Sequence, residues 1–315
     1  MKGKPIQNLA ASVYARLLKR TRLGHEDFQF VLMRYGAERL MYRLSQSEHA
    51  SNFVLKGAML FLVWTGGEYR ATKDMDLLAL KSASVGHLRD IFRELCQLPV
   101  GHDAQDGLVF DPKSVLAVEI REDNLYQGVR VTLLARLGNA RIPIQADIGF
   151  GDVVTPKAVQ NDFPTLLDLP APRLAMYPRE TVVAEKFEAR VKLGMANSRM
   201  KDFYDIWALS REFDFDGGVL TTAIQATFKR RKTTLAPTLP PALTSEFGES
   251  QAKQTQWTAF VRRSRLKLAA EGLAQVVVDL NGFLEAPVAA ASQGKPLEAV
   301  WAKALLRWRH VTPSP

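Results

Sequence analysis

Apolar residues recur at three- and four-residue spacing over residues 6–20 and 26–46, where Phe30, Val31, Tyr35, Leu40 and Leu44 line one face and Arg34 interrupts it. That period predicts two helices. The pattern then switches. A short apolar run at 53–56 reads as a strand, 58–65 as a helix and 75–80 as a second strand, and 86–98 returns to helical spacing until Pro99 stops it. After a loop at 101–113 holding Asp103, Asp106 and Asp111, extended runs follow at 115–121, 128–136 and 142–149. The stretch from Asn124 to Gly128 and the Gly138-Asn139 pair supply the hairpin turns between them. From Pro164 to Pro178 prolines punctuate an irregular connector. Beyond it the pattern predicts helices alone, at 179–193, 199–211, 217–230, 254–270, 272–285 and 296–308, with a Thr-, Pro- and Ser-rich loop at 233–249. A βαβ-like start followed by a mostly antiparallel meander predicts an α+β fold, a mixed sheet with flanking helices and then a helical C-terminal domain. The expected division is 1–165 and 166–315.

The chemistry concentrates between Lys56 and Asp76. Asp74 and Asp76 lie one residue apart, so on a strand they project from the same face with Cα atoms about 6.5 Å apart. Two carboxylates held side by side call for a cation, and a hard divalent ion such as Mg2+ suits them. Gly57 follows the apolar Phe53-Val54-Leu55 and opens the next helix-like run, a turn whose backbone N–H groups can hold a phosphate. The apolar Leu77 to Leu80 then places the acidic pair at the end of a core strand. A surface Asp-x-Asp and an ordinary glycine turn are the alternative. The combination points to phosphoryl chemistry on a nucleotide.

Charge adds a partner class. The 315-residue chain carries a net charge of +9 with a pI near 9.6, which favours a polyanion partner such as RNA or DNA. The densest basic cluster is Lys229-Arg230-Arg231-Lys232, with Arg262, Arg263, Arg265 and Lys267 beyond it. Hydrophobic content of 47% and charged content of 24% are those of a soluble globular protein. No apolar stretch approaches the roughly 18 residues that span a bilayer, and no signal-peptide pattern opens the chain. Cys96 is the only cysteine, which excludes an internal disulfide, and its helical context between Leu95 and Leu98 reads as a buried small hydrophobe. The expected compartment is the cytoplasm, with no membrane partner.

Further carboxylates lie downstream. In Ile142 to Gly149 the isoleucines alternate with Pro143, Gln145 and Asp147, so Asp147 faces away from the core as a candidate third carboxylate, with Asp152 as its competitor. A solvated edge residue is the plainer reading of Asp147. In the helices at 180–210, Asp202 and Asp205 share one face, and Lys186 borders the apolar stripe begun by Val182 and Val183, from where it can reach phosphates. The alternative is a surface helix with Lys201 paired to Asp205.

These segments together resemble the AbiEii/AbiGii toxin family of nucleotidyltransferases, relatives of the DNA polymerase β-type superfamily. The matching residues are Leu55-Lys56-Gly57-Ala58, Arg70-x-Thr72-x-Asp74-x-Asp76, Gln145 through Asp152, Glu180 through Ala189 with Glu185 and Lys186, and Arg199-Met-Lys201-Asp202-Phe-Tyr204-Asp205. They run in the family's order and span residues 52–209. The resemblance implies an NTP-dependent nucleotidyltransferase toxin of a toxin–antitoxin or phage-defence system, with a cognate antitoxin encoded nearby. It implies nucleotide transfer to RNA, in some members to the tRNA acceptor end. Carried across, Asp74 and Asp76 hold Mg2+, and Asp147, Lys186 and Asp202 complete the catalytic set. The nucleotide is bound by Lys56, Gly57, Ala58, Arg70 and Lys186. Where the family usually has a second Gly or a Ser, this chain has Ala58, so backbone amides must serve in place of a hydroxyl. Rival readings are nucleotide transfer to a protein side chain and a non-catalytic RNA- or antitoxin-binding module on a degenerate fold.

Overall fold

Helices α1 (Leu9–Gly24) and α2 (Phe28–Gln46) open the computed structural model, which describes residues 8–24, 26–66, 72, 74–122, 126–264, 266, 268 and 271–310. Arg70, Arg265, Lys267, the first residues of the first expected helix and part of the Asn124 turn lie outside the described residues. The chain divides into two compact units. The first takes the described residues of 8–66, 72–151 and 159–176, and the second takes 152–158 and 177–310.

In the first unit α2 starts where the Asp27 carboxylate accepts a hydrogen bond from the Phe30 N–H at 2.8 Å. Its polar residues do not form a solvated face, because Arg34, Glu38, Arg39 and Arg43 are buried. Arg39 and Arg43 converge on Asp106, with Arg43 Nη1 2.6 Å from its Oδ2. Glu38 Oε2 accepts from the Leu166 N–H at 2.7 Å, and burial pushes the Glu38 carboxyl up to about 7. The acidic loop read from the sequence thus contains a structural anchor, since Asp106 ties α2 to the strand that follows.

Strand β1 (Phe53–Lys56) leads through the Gly57 turn into α3 (Leu60–Thr65), and β2 (Met75–Ala79) precedes α4 (Val85–Gln97), which Ser84 caps. Cys96 on α4 is half-buried rather than buried, and desolvation pushes its thiol up to about 12. The long strands β3 (Leu108–Glu122), β4 (Tyr126–Leu137) and β5 (Ala140–Phe150) form the expected meander. Gly138, at φ +59, makes the β4–β5 turn. Strands β6 (Val159–Asp162) and β7 (Arg173–Met176) follow. The connector expected at 164–178 therefore contains a strand: Arg173–Met176 has little signal of its own and becomes β7 by pairing in parallel with β1.

The seven strands run in the order β3-β4-β5-β2-β1-β7-β6. β2 pairs with β5, and β1 with β7, in parallel; the remaining pairs are antiparallel. The mixed sheet with flanking helices is the α+β class expected. Ile142, Ile144, Ala146 and Ile148 of β5 and Val129 to Leu137 of β4 bury alternate residues on the face that α2 packs against, where Gly36 lets the helix approach Ile142 and Ile144.

The second unit is mainly helical: α5 (Arg179–Leu193), α6 (Met200–Glu212), α7 (Gly217–Arg231), α8 (Ser245–Glu249), α9 (Gln251–Arg263) and α10 (Leu273–Ser292). It is not purely so. β8 (Phe215–Asp216), β9 (Ala299–Ala302) and β10 (Arg307–His310) make a three-stranded sheet in the order β10-β9-β8. The helix expected at 296–308 is this β9–β10 hairpin. Trp301 decides it: the indole is buried and donates to the Ser210 carbonyl at 2.6 Å, while Leu306 turns the chain at φ +51. Against the expectation that no apolar stretch approaches the length of a bilayer span, α10 is long and apolar enough to cross a membrane by length and composition alone. It packs on α6, α7 and α8, and its buried residues include Val276, Leu280 and Phe283, which fits the core helix of this unit.

Candidate active site

Strand register builds the site. Lys56 of β1 lies opposite Asp76 of β2, Asp76 opposite Asp147 of β5, Asp147 opposite Arg130 of β4, and Arg130 opposite Val118 of β3. Residues in register share a face, so one row across the sheet reads Lys56, Asp76, Asp147, Arg130. The two acids stand adjacent at the centre of the row and a cation closes each end. Asp74, two residues before Asp76, falls on the same side and is exposed, while Asp76 is half-buried. The opposite side of β2 is Met75, Leu77 and Ala79, all buried. Asp76 thus stands near the head of a core strand, while Asp74 precedes that strand and lines a pocket with Thr132 and Gln145.

Gly57 is at φ +75, and a Cβ built on it would fall 2.7 Å from the Asp76 carboxyl carbon. Glycine is needed there twice, for its left-handed backbone and for the close pass over the carboxylate. Turn and acid therefore form one structural unit although nineteen positions separate 57 from 76. Ala58 is buried behind the turn. The helix after it is shorter than expected: α3 has 6 residues and begins only at Leu60. So short a helix has a small dipole, and the groups at this corner that could hold an anion are the turn amides and the Lys56 ammonium. The Lys56 ammonium lies 4.0 Å from where a Cβ on Gly149 would stand, so it reaches across β2 toward β5.

Asp147 and Asp152, the two candidates for third carboxylate, go to different places. Asp147 sits beside Asp76, both of its oxygens engaged by Arg130 at 2.8 Å. Asp152 belongs to the second unit and pairs with Arg231 at 3.0 Å. Arg231 also meets Glu185 at 3.3 Å and Glu188 at 2.9 Å. The basic cluster at 229–232 is therefore not uniformly available to a polyanion. Its Arg231 turns inward to neutralise carboxylates, and Lys229, Arg230 and Lys232 stay exposed.

In the second unit Lys186 of α5 reaches α6. Its ammonium contacts Asp202 at short range and Asp205 Oδ2 at 2.9 Å. The surface pair Lys201–Asp205 does not form, because Asp205 is fully buried and faces Lys186. Burial opposes ionisation of Asp202, yet the Lys186 ammonium holds its carboxyl below the usual range. One turn on, Arg190 is fully buried, donates to the Lys186 carbonyl at 3.0 Å and packs its guanidinium 4.2 Å from the Phe203 ring centroid. Burial lowers Arg190 to about 10.

Sequence reasoning did not select Glu48, His49 and Glu94, whose ligand atoms lie within 4.8 Å of one another among the described residues, with His49 Nε2 2.8 Å from Glu94 Oε2. The signal was absent because Glu94 comes from α4, well away in sequence. The cluster is largely exposed, a setting in which acidic groups are common without a metal.

Two Helicobacter pylori crystal structures align with the chain: JHP933, 12% identical over 83% of this chain and 88% of that one with a TM-score of 0.42, and a protein described as a nucleotidyltransferase, 13% identical over 83% and 90% with a TM-score of 0.41. No protein of curated function matches. A family model does, across residues 39–277, and that span takes in the acidic row, the Gly57 turn and the Lys186–Asp202 knot. The chain belongs to the family described as nucleotidyl transferase AbiEii toxin, type IV toxin–antitoxin system.

Proposed function

We propose that the protein transfers a nucleotide from an NTP to an RNA acceptor, and that this reaction is its toxic activity in the cytoplasm. The observation that carries the reading is the row Lys56–Asp76–Asp147–Arg130 with Gly57 pressed against Asp76 and Asp74 on the same face. Hard carboxylate oxygens converging from one strand suit Mg2+, and Asp74 and Asp76 would hold it. When bound, the ion supplies charge neutralisation at the reacting phosphate. The chain's own groups do the rest. Lys56 and the Gly57 turn bind the triphosphate, with Lys186 and Asp202 assigned to the nucleotide by their place in the family motifs. Asp147 Oδ2 accepts from both Arg130 and Gln145, while Oδ1 keeps a second lone pair beyond its bond to Arg130 and can accept the O–H of an acceptor hydroxyl. That hydroxyl passes its proton to Asp147 as its oxygen bonds to the α-phosphorus, the bond from the α-phosphorus to the bridging oxygen breaks, and pyrophosphate leaves with that bond's electron pair. Membership in a toxin–antitoxin family implies a cognate antitoxin.

The test is incubation with each labelled NTP and Mg2+, with and without chelator, alongside total RNA or lysate protein. Label should enter RNA, require Mg2+ and vanish with Asp76→Ala, and Asp76→Ala should relieve growth inhibition at matched expression. Label in protein instead would move the acceptor to a side chain. Growth arrest that persists with Asp76→Ala would make the protein a binding module.

A further inference from the structure

Beyond the acidic row, β4 and β5 run on past the start of β2. Register places successive rows on the same face as Asp76: Leu116–Thr132–Gln145, then Leu134–Pro143 with Asp111, then Val109–Arg136–Arg141. The face opposite is the one that α2 covers; this one is open. Val109, Leu116 and Val118 of β3 are 67%, 64% and 54% exposed, an apolar surface on an edge strand that a solvated protein ordinarily breaks with charge. Arg136 and Arg141 stand directly opposite each other at the far end of it, both exposed, and neither joins an ion pair among the described residues. Like charges in register on neighbouring strands repel, so an anion between them is favoured. Asp111, the acid in these further rows, accepts the Lys113 N–H at 2.9 Å. A pocket of about 360 Å³ opens at the near end, where Asp74, Leu116, Thr132, Pro143 and Gln145 meet Met33 of α2.

Resting on the transferase reading above, we infer that this open face of β3, β4 and β5 is the acceptor track, and that its occupant is a single-stranded nucleic-acid 3′ end. In-line displacement puts the attacking and leaving oxygens on opposite sides of the phosphorus. The Gly57 turn and Lys56 take the leaving phosphates on the β1 side of Asp76, so the acceptor arrives from the β5 side, past Asp147. Its terminal base enters the pocket beside Asp74, where apolar walls meet the base face and the Gln145 amide and Thr132 hydroxyl meet its edge. Upstream bases lie on Leu116 and Val109. A phosphate reaches the Arg136–Arg141 pair, six residues along the strand from Asp147 and so about 20 Å from the reacting hydroxyl.

The experiment uses the full chain and a 5′-fluorescein single-stranded RNA of about a dozen nucleotides, read by anisotropy across a salt series. The Arg136→Glu/Arg141→Glu double variant should bind this RNA roughly tenfold more weakly, with the salt slope reduced by about 1.4, as expected for two lost phosphate contacts. Leu116→Ser should raise KM for the RNA acceptor and leave KM for the NTP in place. Thermal unfolding and retention of labelled NTP serve as folding controls. RNA affinity and salt slope unchanged in the folded double variant would overturn the track. So would a loss confined to antitoxin binding, which would make the face a protein interface. The two readings fail separately. Arginine-dependent RNA binding in a protein that transfers no nucleotide would sink the transferase and keep the track, and Asp76-dependent transfer with RNA affinity indifferent to Arg136 and Arg141 would do the reverse.

Discussion

Asp74 and Asp76 share an open sheet face in the first unit, whereas Asp202 and Asp205 share a helix face turned inward in the second. Both pairs are close in sequence and both satisfy a local periodicity. In the second unit the acids are buried together with Lys186 and Arg190, so charge is balanced where water is excluded. In the first the acids stay accessible at the head of a strand, next to a turn that only glycine can make. A buried, mutually neutralised cluster is expensive to dismantle and contributes mostly to architecture. An accessible acidic pair on a rigid strand costs little to alter structurally and is suited to holding a ligand. The first unit repeats the buried pattern on its covered side, where Glu38, Arg39, Arg43 and Asp106 interlock.

The contrast predicts opposite outcomes for substitutions that look alike. Asp205→Ala removes a buried partner of Lys186 and should cost about 3–5 kcal/mol of stability, measured by chemical denaturation. A small loss there would mean that the inner cluster is not the structural knot its burial suggests. Asp76→Ala should move the thermal midpoint little, because relief of repulsion from Asp147 and loss of attraction to the facing Lys56 act in opposite directions, and should lower transfer roughly 10²–10³-fold in kcat. Unfolding of that variant would erase the distinction between the two acidic pairs.

Glu38 sharpens the comparison through pH. Its folded-state pKa, about 7, lies above the ordinary 4.5, so the folded chain favours the protonated form. Its contribution to stability is complete below about pH 4.5 and is lost as the pH rises through 7. Glu38→Gln keeps an acceptor for the Leu166 N–H, and it should remove this decline and gain about 3 kcal/mol at most at pH 8, read from urea midpoints at several pH values. A smaller loss of stability than at Asp205 is expected at Gly57. Gly57→Ala forces a left-handed alanine and displaces Asp76, for a cost of about 1–3 kcal/mol. Transfer should fall by more than tenfold, and a fully active variant would detach the turn from the site.

Local pattern was enough for α2, α4, the β3–β4–β5 meander and the same-face placement of Asp74 and Asp76, because each depends on a period of 2 or 3.6 within one segment. Gly57 and Asp147 were also legible, the first as a turn and the second as the outward member of an alternating strand. What the pattern missed has a common cause. Arg173–Met176 and Ala299–Ala302 are strands because of their pairing partners, whereas their local pattern predicts a connector and a helix. Arg231 is the inward member of a basic run only because Asp152, Glu185 and Glu188 come from elsewhere in the chain.

The sequence by itself determined the alternations that give each strand a wet and a dry side, the glycine that permits the turn at 57, and the identity of the charged groups. Tertiary structure alone decided which of those groups meet. The register of β2 against β5 set Asp76 beside Asp147, the second unit paired Asp152 with Arg231, and the packing of α5 on α6 gave Asp205 to Lys186 rather than Lys201. The physical reason is one of range. Backbone sterics and side-chain period act over a few residues, while the cost of burying a charge is met only by a partner that folding brings in from a distance.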